Sequence, residues 1–214
     1  VVRFSKVPAV GSRIDILDLS SSPAFANAPT KIFPTGSLPE KRATIESVLG
    51  KIKYLQTTER EDVINLIADQ IATKLPDNLM MTSKQVIELR RSGMLIGAHT
   101  VSHPILANLQ AVQVRNEISE SKKYLEALLQ ENIGLFAYPN GKPNVDYQAR
   151  DALIIKELGF DAAFTTAWGV VDRNSDLMQL PRFTPWDRTK LRFGTRLIKN
   201  ILQNPQLKFN QIAN

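Results

Sequence analysis

The chain has no cysteine among its 214 residues. That excludes disulfides and thiolate metal sites, and leaves nitrogen and oxygen as the only strong metal donors. The redox compartment stays open. No apolar run approaches the roughly 18–20 residues that cross a bilayer as a helix. No secretory signal pattern is present, yet the chain begins Val1-Val2-Arg3 without a methionine and reads as a piece of a longer product. No fixed-period repeat and no low-complexity tract occurs. What remains, 43% hydrophobic and 22% charged residues, is the balance of a globular chain long enough to bury a full core.

Histidine is almost missing too, and its placement is informative. Both histidines fall in one pentad, His99-Thr100-Val101-Ser102-His103, directly after the apolar run Met94-Leu95-Ile96-Gly97-Ala98. Neutral imidazole is a common ligand for divalent metals, and a histidine pair is half of many zinc sites. The apolar run reads as a buried strand. His99 then leaves the carboxyl end of a strand, where α/β folds gather ligands. The pattern is not the helical His-Glu-x-x-His of zinc proteases: Thr100 follows the first histidine and Pro104 the second, so no general base comes with it.

Residues 1–38, rich in proline, serine and alanine, read as mostly irregular, with a short strand within 13–18. Helices are expected over 40–56 (Ile45, Val48, Leu49, Ile52 and Leu55 inward), from a capping box at Thr58 to Lys74, and from a capping box at Thr82 to Gly93. A regular alternation follows: strand 94–98, helix 110–130, strand 134–138, a Pro/Gly/Asn loop over 139–144, helix 146–158, strand 161–165, strand 178–183, and a closing helix over 188–203. Such alternation implies right-handed βαβ units around a parallel sheet or barrel. The division expected is an irregular segment 1–38 and one α/β domain 39–214, with insert helices 40–93, a core over 94–187 and the basic helix 188–203.

His99-Thr-x-x-His103 after a hydrophobic strand resembles the metal-binding motif of the polysaccharide deacetylase family. Leu135-Phe136-Ala137-Tyr138-Pro139-Asn140-Gly141, one helix later, looks like that family's Phe-Ala-Tyr-Pro-x-Gly motif. Leu158-Gly159-Phe160-Asp161-Ala162-Ala163 and Leu180-Pro181-Arg182-Phe183 resemble its later strands. The resemblance covers roughly residues 80–190. It implies a distorted, incomplete (β/α) barrel, and hydrolysis of acetamide or O-acetyl groups on polysaccharide with a divalent metal, often zinc. Two His and one Asp hold the metal in that family, and a second Asp takes the proton of the attacking water. By resemblance, His99 and His103 are the histidine ligands and Thr100 steadies their loop. Tyr138, Pro139, Asn140 and Gly141 wall the substrate site, with an Asn140 backbone N–H facing the oxyanion.

The departures from the family pattern are specific. Asn140 stands where an aromatic is common, Ala137 where other subgroups have Arg, and no third histidine exists. No Phe-Asp-Asp strand precedes His99. The early acids Asp15 and Asp18 lack that context and read as solvated polar positions. The expectation is that the first βαβ portion, with the base and the Asp ligand, lies outside this chain, leaving it inactive. A non-catalytic carbohydrate-binding protein on the same fold is the alternative. A bared barrel edge would be hidden by dimerisation, or by folding part of residues 1–38 into the gap, with Val1, Val2, Phe4, Ile14, Ile16 and Leu17 available.

Trp186 is either a sugar-stacking ring or a packing residue, and Arg182 either a buttress of the substrate site or a surface cation. The net charge of +6 resides in 182–214, which has seven basic residues and one acid, whereas the rest has 20 of each. The closing helix is expected to cover the barrel with Leu191, Ile198, Ile201 and Leu202, its basic face solvated. An anionic polysaccharide or a membrane surface is the other reading. No nucleic-acid motif accompanies the charge. The compartment stays open, a bacterial cytoplasm or the cell envelope.

Overall fold

Capping residues and apolar spacing set the helices. The computed structural model describes residues 14–71, 79–183 and 186–202, and these form two compact units, divided between Met81 and Thr82. In the first unit, strand β1 (Ile16–Asp18) pairs antiparallel with β2 (Ile32–Pro34), Leu17 opposite Phe33. Ser37 caps α1 (Leu38–Ile52) in a box with Glu40, and α2 (Thr57–Ile71) follows. The Gln56 N–H donates to Glu59, so this start lies two residues before the Thr58 box expected from sequence. Leu17, Leu19, Phe25, Phe33, Val48, Ile52 and Val63 fill the core, while Ile45 and Leu49 remain exposed. Residues 14–38 are thus more ordered than the sequence suggested, because Leu17, Phe25 and Phe33 bury together. Val1, Val2 and Phe4 fall outside the described residues.

The second unit holds the α/β alternation. Thr82 caps α3 (Ser83–Arg91) in a box with Gln85, as its sequence indicated. Next come α4 (Ala111–Leu129), β3 (Leu135–Ala137), α5 (Ala149–Glu157), β4 (Ala162–Phe164) and α6 (Lys190–Leu202). β3 and β4 are parallel, Phe136 opposite Ala163. Single parallel bridges extend the order on both sides, Ala98 to Phe136 and Phe164 to Leu180. Four parallel segments therefore lie in chain order, as βαβ units require. The outer two are shorter than the strands expected at 94–98 and 178–183. Ala98 donates to Leu135 O at 2.8 Å and accepts from Ala137 N at 3.0 Å, but Met94 and Leu95 are exposed. Among the described residues this segment is bonded on one side, and such an edge does not bury its whole apolar run. The core joins Ala98, Phe136 and Tyr138 from one face of this sheet with Leu106, Val114, Ile118, Ile133, Tyr147 and Ile155.

The basic helix departs from expectation. Leu191, Ile198, Ile201 and Leu202 are exposed, and Asn200 on the polar side is buried. The polar side wins because it has specific partners. Asn200 Nδ2 donates to Gly169 O at 3.1 Å, and Arg196 pairs with Asp187 and lies over the Trp168 ring.

Candidate functional site

The site is built where the 94–98 segment ends beside β3. Gly97 lets the two backbones approach: a Cβ there would sit 3.0 Å from Leu135 O. Ala98 then docks on β3, and His99 emerges at its end. His99 Nδ1 lies 2.7 Å from Ala137 O. A carbonyl only accepts, so Nδ1 carries the proton and Nε2 keeps its lone pair. A backbone carbonyl behind a histidine is the usual way to fix the tautomer of a metal ligand.

The loop that brings His103 back is held in an uncommon shape. Thr100 and His103 both have left-handed backbones, φ 64° and 55°. For a β-branched residue this conformation costs about 1–2 kcal/mol and persists only where neighbours enforce it. The Thr100 hydroxyl donates to His99 O and accepts from His103 N at 3.1 Å. Glu117 on α4 clamps the loop from outside. Its Oε2 accepts the Val101 and Ser102 N–H groups, both at 2.9 Å, and its Oε1 accepts the Ser102 hydroxyl at 2.7 Å. The result places the imidazole centres 4.8 Å apart at 77°. Two imidazoles bound to one ion through nitrogens at about 2.0–2.1 Å put their centres about 5 Å apart, so the pair fits half of a zinc-type site. Among the described residues no further His, Asp or Glu joins them in a metal-binding group of three or more.

The 138–141 loop continues from the carbonyl that holds His99. Asn140 and Gly141 are left-handed, φ 54° and 75°. Gly141 is required here, because a Cβ would lie 3.1 Å from both Thr166 N and Tyr138 O. Its carbonyl accepts from Thr166 N at 2.8 Å, which ties the loop to the end of β4. Tyr138, read from sequence as a substrate contact, turns into the core. Its ring stacks on Tyr147 with centres 3.7 Å apart, and its hydroxyl donates to Met178 O at 2.7 Å. Burial pushes both phenols well above their ordinary pKa. Pro139 and Gly141 are buried and Asn140 is half-buried, so Asn140 is the loop residue that meets solvent best.

Arg182 is exposed and anchored through its backbone, N–H to Ala167 O at 2.9 Å. Trp186 is exposed beside the start of α6. Asp15 and Asp18 lie on the β1 side of the first unit. The Asp18 carboxylate is exposed, and the Ser20 hydroxyl together with Ser20 N, which donates to it at 2.8 Å, holds its pKa below the usual value. Glu117 was missed in the sequence. Its signal was a place three residues after buried Val114 and beside buried Ile118, on the flank of the helix that faces the histidine loop.

The sequence profile described as polysaccharide deacetylase matches residues 33–163, more than half of the chain. The Bacillus subtilis protein YxkH, which carries a polysaccharide deacetylase name, is 26% identical over 102 residues, 48% of this chain and 35% of its own length. The Streptococcus pyogenes deacetylase PplD, solved with acetate, is similar with a TM-score of 0.52 at 24% identity, covering 65% of this chain and 64% of that one. This likeness shows a shared fold. IcaB of Ammonifex degensii matches with a TM-score of 0.47 at 22% identity, over 61% of this chain and 57% of its own. The chain spans only part of each of these relatives.

Proposed function

The chain belongs to the polysaccharide deacetylase family, and from that premise we propose that it carries part of a metal-dependent hydrolase that removes acetyl groups from N-acetylated or O-acetylated polysaccharide. The observation that carries this reading is His99, whose Nδ1 proton is committed to Ala137 O and whose Nε2 stays open beside the His103 ring. His99 and His103 would hold a divalent ion, zinc being suited to neutral imidazole. Such an ion, when bound, supplies Lewis-acid polarisation of an acetyl carbonyl and a more acidic water. The chain's own residues position the rest. Thr100 and Glu117 hold the histidine loop, Ala137 O fixes the imidazole, and the Pro139–Gly141 loop walls the space with Asn140 offering an N–H to the developing oxyanion.

We assign the third ligand and the base to carboxylates beyond the described histidine group, supplied by a strand that completes the (β/α) barrel. By itself this chain is then expected to give no detectable turnover, since a positioned base is worth about 10²–10⁴-fold. Pairing of two copies through the 94–98 edge remains part of the same proposal.

Zinc titration by calorimetry tests the reading. One weak site that His99→Ala and His103→Ala each abolish is expected, and a wild-type chain that binds no zinc would overturn it. If the chain binds acetylated oligosaccharide without zinc, a carbohydrate-binding role replaces catalysis. Light scattering reports the copy number.

A further inference from the structure

Helix α6 is built inside out. Around its axis Leu191, Phe193, Leu197, Ile198, Ile201 and Leu202 fill one half, and Arg192, Thr195, Arg196, Lys199 and Asn200 the other. A surface helix ordinarily turns its apolar half to the core. Here the polar half is anchored, through Asn200 to Gly169 O and Arg196 to Asp187. The apolar half faces outward, with Leu191 78%, Ile198 58%, Ile201 54% and Leu202 79% exposed. Trp186, 69% exposed, stands just before the helix. Among the described residues Phe193 has one ring partner, Phe183, at 5.8 Å.

We propose that α6 and Trp186 form a docking face for an anionic lipid surface, with the helix lying in the plane of the interface. Two features select this partner. The first is charge: Arg188, Lys190, Arg192, Arg196 and Lys199 stand against Asp187 alone, and Arg196 already neutralises that acid. Cations on the polar half reach lipid headgroups along their aliphatic stems while the apolar half sinks below them. The second is the exposed tryptophan, a side chain suited to the headgroup layer. A second copy on the same face would bring two clusters of like charge together. A nucleic acid would leave the apolar half in water. The helix lies on the surface rather than through it, since no helix of the described residues is long and apolar enough to cross a membrane. The proposal stands apart from the deacetylase reading.

Cosedimentation with vesicles tests it, comparing pure phosphatidylcholine with a mixture containing one-third phosphatidylglycerol. Partitioning should favour the anionic vesicles by about tenfold or more, and weaken as salt rises. Arg192→Gln with Lys199→Gln should weaken it by about tenfold or more, since each cation near such a surface is worth about fivefold. Ile198→Asp with Leu202→Asp should weaken it by at least about tenfold. Both positions are exposed, so an unchanged thermal melt confirms that α6 keeps its anchors. Tryptophan emission should shift blue on vesicles, and Trp186→Phe should remove most of that shift. Equal partitioning to both vesicles, or none, overturns the proposal. So does partitioning that the aspartate variant leaves intact. A dimer in vesicle-free solution that the aspartate variant dissociates would assign the face to a second copy, and would also overturn it.

Discussion

Glu117→Ala removes three hydrogen bonds from the loop between the histidines. Its two oxygens take the N–H groups of Val101 and Ser102 and the Ser102 hydroxyl, at 2.7–2.9 Å. Bonds to a charged acceptor contribute about 1.5–3 kcal/mol each when buried. Glu117 is only half-buried and Val101 is exposed, so water replaces part of this, and a total of about 2–3 kcal/mol is reasonable. For a domain of this size each kcal/mol moves Tm by about 2–4 °C, so a fall of roughly 4–12 °C is expected by differential scanning fluorimetry. The same clamp holds the left-handed backbones of Thr100 and His103. Without it the loop relaxes towards ordinary dihedrals and His103 moves away from His99. Zinc affinity should fall about 10–100-fold, the usual loss when a group supporting a ligand is removed. His99→Ala should abolish binding altogether. Glu117→Gln keeps one carbonyl oxygen for the two N–H groups and should fall between wild type and alanine in both assays. An alanine variant with wild-type Tm and zinc affinity would refute the clamp. A lower Tm with unchanged zinc affinity would show that the Thr100 hydroxyl alone sets the histidine geometry.

Gly141→Ala places a Cβ 3.1 Å from the backbone atoms Thr166 N and Tyr138 O at a φ of 75°. Neither atom can swing aside, so urea unfolding should show a loss of about 1–3 kcal/mol, and a negligible change would mean the loop is free to shift. Tyr138→Phe leaves Met178 O without its donor and should cost about 1–2 kcal/mol by the same measurement. Zinc binding should stay unchanged, whereas a defect confined to substrate affinity with full stability would return Tyr138 to the substrate site. The buried Asp151 carboxyl has its pKa raised, burial outweighing the opposing Gln148 N–H and Arg150. A carboxyl whose folded pKa exceeds its unfolded value, about 3.9, favours folding in full below that value. The contribution fades as pH rises through the folded pKa. Stability relative to Asp151→Asn should therefore decline for wild type as pH climbs from about 3.9 through the raised folded pKa, and a pH-independent difference would contradict the raised pKa.

Several features were legible in sequence because each is written locally. The paired histidines after an apolar run, the Phe-Ala-Tyr-Pro-Asn-Gly stretch and the alternation of strand and helix patterns gave the family and the parallel order. The Ser/Thr-x-x-Gln signal at Thr82 located a helix start to the residue. Only tertiary structure decided the rest. The 94–98 run carries a strand composition, but its pairing depends on neighbours, and one-sided bonding leaves a single bridge at Ala98. Tyr138 sits in a motif that reads as substrate-facing, yet strand alternation and the Tyr147 ring send it inward. Glu117 joins the histidine loop only because α4 folds back against it, a contact between residues well apart in the chain. The amphipathic pattern of α6 fixed two opposite faces without saying which would face the protein. Asn200, Arg196 and Asp187 settled that, since specific polar partners hold the helix by its charged side and leave the leucines and isoleucines facing outward.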